Sequence, residues 1–180
     1  MKKVLFAMVL AMAVAASAQA LSVALVPSSF TVTPSTIFTI DVVISDAMAP
    51  GVEVLDVLVL FNPALVEAVG ASEGSFISAQ GGPVMEFLEV VPGSLSYTVT
   101  RLGPESSTGS GTAATLTFHC LAPGITQLAY LVQATDVSGD IILAQDGYVL
   151  VQQGIVPEPM TLALIGAALT ALGFVARKRS

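Results

Sequence analysis

The chain has 180 residues, of which 54% are apolar and 11% charged, and its net charge is −7. That length bounds it to one modest domain with appendages, and the apolar content excludes a disordered chain. The acidic balance excludes nucleic-acid binding, and a single cysteine excludes both a disulfide framework and an all-thiolate zinc site.

The first element is Met1-Lys2-Lys3 followed by an uncharged apolar run over residues 4–16. Ala18-Gln19-Ala20 then supplies the small-x-small pattern that signal peptidase reads. Residues 1–20 are therefore expected to be a secretory signal peptide, with Ala18 and Ala20 at the cleavage site. No Cys follows the cut, so an N-terminal lipid anchor is excluded.

Residues 21–152 are expected to form the exported domain. Over residues 21–156 Arg101 is the sole basic residue against twelve acids, a net charge of −11. Such a surface repels anionic polymers and attracts cations or basic partners. Alternation with period two recurs throughout. Phe38, Ile40, Val42 and Ile44 share one strand face; Leu95, Tyr97 and Val99 share another; Leu116, Phe118 and Cys120 share a third. Further strands are expected over 21–26, 52–61, 84–91, 126–132, 141–144 and 147–151, punctuated by Pro- and Gly-bearing turns. Asn62-Pro63-Ala64-Leu65-Val66 is expected to make one helical turn. About nine short strands predict an all-β antiparallel sandwich or barrel.

The segment 52–61 is apolar on both faces. Leu55, Val57, Val59 and Phe61 line one; Val54, Leu58 and Leu60 line the other, interrupted only by Asp56. Such a strand is either covered on both sides, by a loop or by the terminal segments, or presents a partner-binding face.

Catalytic chemistry finds little support. His119 and Cys120 are adjacent on a strand and point to opposite faces, so they form no dyad. Cys120 continues the Leu116/Phe118 row as a core thiol, and His119 reads as a solvated strand residue. The acids include no pair singled out by spacing for glycoside cleavage. With no Trp and three Tyr, the usual sugar-stacking platform is lacking. Asp136-Val137-Ser138-Gly139-Asp140 reads as a turn with solvated carboxylates rather than a calcium loop. The stretch from Gly103 to Gly111 is Gly-rich without Lys or a following helix, hence a flexible connection and not a phosphate loop. Arg101, at a strand end, reads as a local ion-pair partner. The domain is expected to be non-catalytic, with no cofactor and no metal.

The C-terminal region begins with a short extended linker, residues 153–159. Residues 160–176 carry no ionisable group, and a helix of that length spans about 25 Å, the low end for crossing a bilayer. Arg177-Lys178-Arg179 follows within the tail 177–180. An apolar run closed by a basic cluster is a stop-transfer arrangement with the basic end cytoplasmic.

Val156-Pro157-Glu158-Pro159, the apolar run and the terminal Arg177-Lys178-Arg179 together resemble the PEP-CTERM sorting signal of Gram-negative bacteria that make extracellular polysaccharide. The resemblance covers the last 25 residues. It implies recognition of Pro157, Glu158 and Pro159 by exosortase, a membrane-embedded cysteine transpeptidase. It also implies inner-membrane anchoring with the domain in the periplasm, then sorting to the cell surface or extracellular matrix. Most of residues 21–152 resembles a cohesin domain. Phe38-Thr-Ile-Asp-Val-Val-Ile-Ser45, the run from Val57 through Phe61-Asn62-Pro63 to Gly70, and Gly111-Thr-Ala-Ala-Thr-Leu-Thr-Phe118 carry it. Cohesins usually have Asp-Pro where this chain has Asn62-Pro63. The resemblance implies a nine-stranded jelly-roll sandwich related to carbohydrate-binding modules. It further implies a dockerin-like protein partner bound on the sheet face that carries Val54, Leu58 and Leu60. A polysaccharide-binding matrix protein is the alternative.

Overall fold

The computed structural model describes residues 21–79 and 81–154. The expected signal peptide, the Pro157-Glu158-Pro159 motif, the expected membrane helix over 160–176 and the basic tail lie outside the described residues. Among the described residues no helix is long and apolar enough to cross a membrane.

Among the described residues the strands are β1 (Ser22–Pro27), β2 (Thr31–Val32), β3 (Ile37–Val52), β4 (Val54–Leu60), β5 (Val66–Glu73), β6 (Val84–Val91), β7 (Ser94–Arg101), β8 (Ser107–Cys120), β9 (Gly124–Thr135) and β10 (Ile141–Gln153), with one short helix, α1 (Ser75–Ser78). They form two sheets, in the orders β1-β3-β8-β5 and β2-β10-β9-β4-β7-β6. All pairings are antiparallel except that of β2 with β10. The all-β two-layer expectation holds.

The alternation read from the sequence decides which side of each strand is buried. Phe38, Ile40, Val42 and Ile44 of β3 face Leu55, Val57 and Val59 of β4 across the core, joined by Leu95, Tyr97 and Val99 of β7 and by Leu116, Phe118 and Cys120 of β8. Burial of these side chains at about 25 cal/mol per Å² of apolar surface is the main force holding the layers together. Phe118 links them directly. Its ring stacks on Phe38 within its own sheet at 5.7 Å and meets Phe61, at the end of β4 in the other sheet, edge-on at 5.6 Å.

The structure corrects several local expectations. The described residues form ten strands rather than about nine, one of them only two residues long. Residues 52–61 are not one strand: Val52 closes β3 opposite Ser107, and β4 begins at Val54. The segments 141–144 and 147–151 are one continuous β10, which runs one residue past the expected boundary, to the buried Gln153. The Gly-rich stretch is not a free connection from Ser107 onward, because β8 starts there and the Ser107 hydroxyl donates to the Ile77 carbonyl at 2.7 Å. β5 was hidden because its sequence, Val-Glu-Ala-Val-Gly-Ala-Ser-Glu, buries only Val66 and Ala68. The turn at Asn62 is present: its carbonyl accepts from Leu65 and Val66, and its side chain accepts from Ala64 N–H at 3.0 Å.

The two sides of the sandwich are closed differently. On one side, Gln145 of β10 reaches β1, where its amide accepts from Val23 N–H at 3.1 Å and donates to the Val23 carbonyl at 2.7 Å. On the other, α1 buries Phe76 and Ile77 beside β8 and β7. A groove of about 430 Å³ opens between the start of β5 and the end of β6, lined by Phe61, Pro63, Val66, Val90 and Leu121 among others.

Candidate partner-binding face

The outer face of the six-stranded sheet follows from the pairing registers. Alternate residues of β4 leave the core, so Val54, Asp56, Leu58 and Leu60 point outward while Leu55, Val57 and Val59 are buried. Leu58 stands level with Leu131 of β9 on one side and Ser96 of β7 on the other; Leu60 stands level with Ala129 and Ser94; Val54 with Thr135 and Thr100. The three residues singled out in the sequence thus share one row along the centre of this face. Leu60 is half exposed, and Val54 and Leu58 are shielded in part by their neighbours.

Two further apolar rows accompany them. Leu131 of β9 lies beside β4, and Tyr148 and Leu150 of β10 continue outward from it, all exposed. Met85, Phe87 and Val91 of β6 form the second row, also exposed. Between β4 and β6, every outward residue of β7 is a small hydroxyl: Ser94, Ser96, Thr98 and Thr100. Two strand spacings separate the flanking rows, so this lane is roughly 10 Å across, close to the diameter of a helix with its side chains.

The acids on this face are Asp56, Glu89 and Asp146. Asp56 accepts a hydrogen bond from the Thr98 hydroxyl at 2.6 Å, which holds it at the edge of the lane. No basic side chain joins them among the described residues: Arg101 is at an inward position and buried. It donates to the Gly81 carbonyl at 2.5 Å and lies 3.8 Å from Glu105, the local ion pair expected of it.

The remaining candidates are structural. Cys120 is buried, and burial pushes its thiol up from the ordinary value, with a backbone hydrogen bond at Ala122 acting the other way. His119 points to the opposite face and lies 3.9 Å from Glu67. The Asp136 carboxylate is occupied by its own turn, accepting from Ser138 N–H at 2.8 Å and Asp140 N–H at 3.0 Å. Tyr97 is wholly buried, and its hydroxyl donates to Glu86 at 2.6 Å. Burial first, then that bond and the negative charges of Glu86 and Glu73, hold this hydroxyl protonated far above the usual tyrosine range.

Sequence reasoning missed Met85, Phe87, Leu131 and Tyr148 as members of the face. Residues 84–91 carry the same two-faced apolar signal as 52–61, which was available in the sequence. The neighbours of each row depend on registers between strands tens of residues apart, which local pattern does not encode.

No protein-family profile and no curated protein sequence matches the chain. Solved structures do. The sixth cohesin of scaffoldin B from Acetivibrio cellulolyticus, solved in complex with a Cel5 dockerin mutant, is 14% identical with a TM-score of 0.59, the match covering 74% of this chain and 99% of that one. The cohesin module of a family 33 glycoside hydrolase from Clostridium perfringens is 12% identical with a TM-score of 0.59, covering 75% and 96%. A non-cellulosomal cohesin from the archaeon Archaeoglobus fulgidus is 12% identical with a TM-score of 0.55, covering 72% and 91%. At these identities the likeness is one of architecture: the described residues have the cohesin fold.

Proposed function

We propose that this chain is a non-catalytic, exported protein-binding module that captures a dockerin-like partner on the outer face of its six-stranded sheet. The observation that carries the reading is the face itself. It pairs a central apolar row, Val54, Leu58 and Leu60, with a hydroxyl-floored lane wide enough for a helix and with acids at its margins. A partner helix with an apolar stripe flanked by Lys or Arg complements it in shape and charge. The dockerin complexes among the solved cohesins support the choice of partner class. Export by the N-terminal segment and anchoring by residues 160–176, which rest on the sequence pattern, and exosortase sorting through Pro157, Glu158 and Pro159, which rests on the resemblance, complete the proposal.

The test of the face is capture of partners on the full-length chain, from extracts of the organism that makes it, with mass-spectrometric identification. Leu58→Asp with Leu60→Asp should abolish capture of a dockerin-like protein while leaving the sheet spectrum by circular dichroism unchanged, because both side chains are outward. Unchanged capture by that folded variant would sink the reading. Sorting is tested by deleting residues 177–179, which should impair membrane retention or processing; identical fractionation of the two chains removes it.

A further inference from the structure

The four strands that end the two sheets differ in how they are protected. β1 has its Val23 backbone groups occupied by the Gln145 side chain. β2 is two residues long. β5 carries a bulge between Ala68 and Gly70. β6 has none of these devices. It pairs with β7 in unbroken register over eight residues and contains no Pro and no Lys. It is also apolar and exposed on both faces: Met85, Phe87 and Val91 outward, Leu88 and Val90 inward at 40% and 41% exposure. Exposed edges of this kind are templates for pairing, and proteins normally blunt them.

The free hydrogen-bonding groups of this edge are identifiable. Leu102 N–H donates to the Pro83 carbonyl at 2.8 Å, so residues 83, 85, 87, 89 and 91 direct their backbone groups toward β7. The N–H and C=O groups of Val84, Glu86, Leu88 and Val90 therefore point away from the sheet, and no backbone partner meets them among the described residues.

We propose that β6 is a self-association strand. Two copies of the chain pair antiparallel along it about a two-fold axis, with Phe87 opposite the partner's Phe87. Symmetry limits the choices, because an isologous pair must be self-complementary. Only registers centred on a residue keep like faces together. Centring on Glu86 or Glu89 sets a carboxylate against itself. Centring on Leu88 sets the exposed Glu89 diagonal to the partner's Glu89. Centring on Phe87 leaves Glu86 diagonal to its own copy, but that carboxylate is turned back into its own protomer. There it accepts the Tyr97 hydroxyl at 2.6 Å and Glu73 N–H at 3.1 Å. Glu89 then faces the partner's Met85. In this register Val84 exchanges hydrogen bonds with the partner's Val90, and Glu86 with the partner's Leu88, so all eight free edge groups of each copy are satisfied. The partner's Val84 comes to the mouth of the apolar groove beside Val90. The two aromatic rings meet on the outer face. The net charge of −11 on residues 21–156 opposes association at long range, so the dimer tightens as salt is added.

The test uses the full-length chain in mild detergent. Phe87→Cys introduces one reactive thiol, the native Cys120 being buried. Opposed residues of a non-hydrogen-bonded antiparallel pair lie about 4.5 Å apart at Cα, within disulfide reach. On mild oxidation Phe87→Cys should give a disulfide dimer whose yield rises with salt. Leu88→Cys, off the axis, and Tyr148→Cys, equally exposed on the same sheet, should form no disulfide-linked dimer. Independently, the unsubstituted chain should sediment as a dimer and Leu88→Pro as a folded monomer. The Leu88 N–H points away from β7, so proline there spares the internal ladder. A monomeric unsubstituted chain at high salt, as expected if a terminal segment or a foreign strand occupies β6, overturns the proposal. So does cross-linking of Tyr148→Cys as efficient as that of Phe87→Cys, and cross-linking of Leu88→Cys overturns the register.

Discussion

Replacing Gln145 with Ala tests whether one side chain seals the β1 side of the sandwich. The amide makes two hydrogen bonds to Val23 backbone, at 3.1 and 2.7 Å, across 122 residues of sequence. Val23 is only 4% exposed, so truncation leaves its N–H and carbonyl without ready access to water. Stranding a buried polar group costs about 1–3 kcal/mol. Both groups belong to a strand at the edge of its sheet that relaxes more easily than the core, which places the combined loss at about 2–3 kcal/mol. At 2 kcal/mol the Val23 amide should lose about thirty-fold of its hydrogen-exchange protection, since each 1.4 kcal/mol is a factor of ten. Gln145→Glu should be no better than Gln145→Ala, because it keeps an acceptor for the N–H but sets a carboxylate against the Val23 carbonyl. Native exchange read residue by residue, with urea unfolding beside it, measures both effects. Unchanged protection at Val23 in Gln145→Ala would refute the reasoning.

Two more outcomes follow from the core. Gly74 sits where an added Cβ meets the Thr112 carbonyl oxygen in β8, a backbone atom that cannot step aside. Gly74→Ala should therefore destabilise the fold by about 1–3 kcal/mol in urea titration, despite the better intrinsic propensity of alanine. Alkaline pH should weaken the protein. Tyr97 and Cys120 are both held protonated above their ordinary values of 10.0 and 9.0, so the unfolded chain loses these protons first. Their contribution is complete below those values and is lost as pH climbs past them, by up to about 1.4 kcal/mol per pH unit for each group. Urea midpoints between pH 8 and 11 should fall, and Tyr97→Phe should fall less steeply.

Much of the sandwich was legible because half-buried antiparallel strands write their two faces into alternate positions. The inward rows of β3, β4, β7 and β8 are those read from Phe38 to Ile44, Leu55 to Val59, Leu95 to Val99 and Leu116 to Cys120. Elements stabilised from elsewhere were not legible. β2 is two residues long and exists through its pairing with Gln152 and Gln153. The four residues of α1 are too few to show a period, and the side chain of Glu73 supports them by accepting from Ser78 N–H at 2.9 Å. The candidate face was legible only along its own strand: Val54, Leu58 and Leu60 declared themselves, while Leu131 and Phe87 joined them through registers that no local pattern specifies.

The attachment of β10 has a consequence for the order in which the protein is made. The last described strand clasps the first two: Gln145 holds β1, and Gln152 and Gln153 hold β2. It also flanks β9, which shields β4. An emerging chain therefore has no complete second layer to close over its apolar rows until residue 153 has appeared. Folding dominated by such distant pairings is slow, on the order of milliseconds to seconds. The acidic domain thus stays open while it is being made and closes only after β10 has arrived. Variants that loosen the clasp at Gln145 should reveal themselves as proteolysis of the newly made chain before they register as a loss of equilibrium stability.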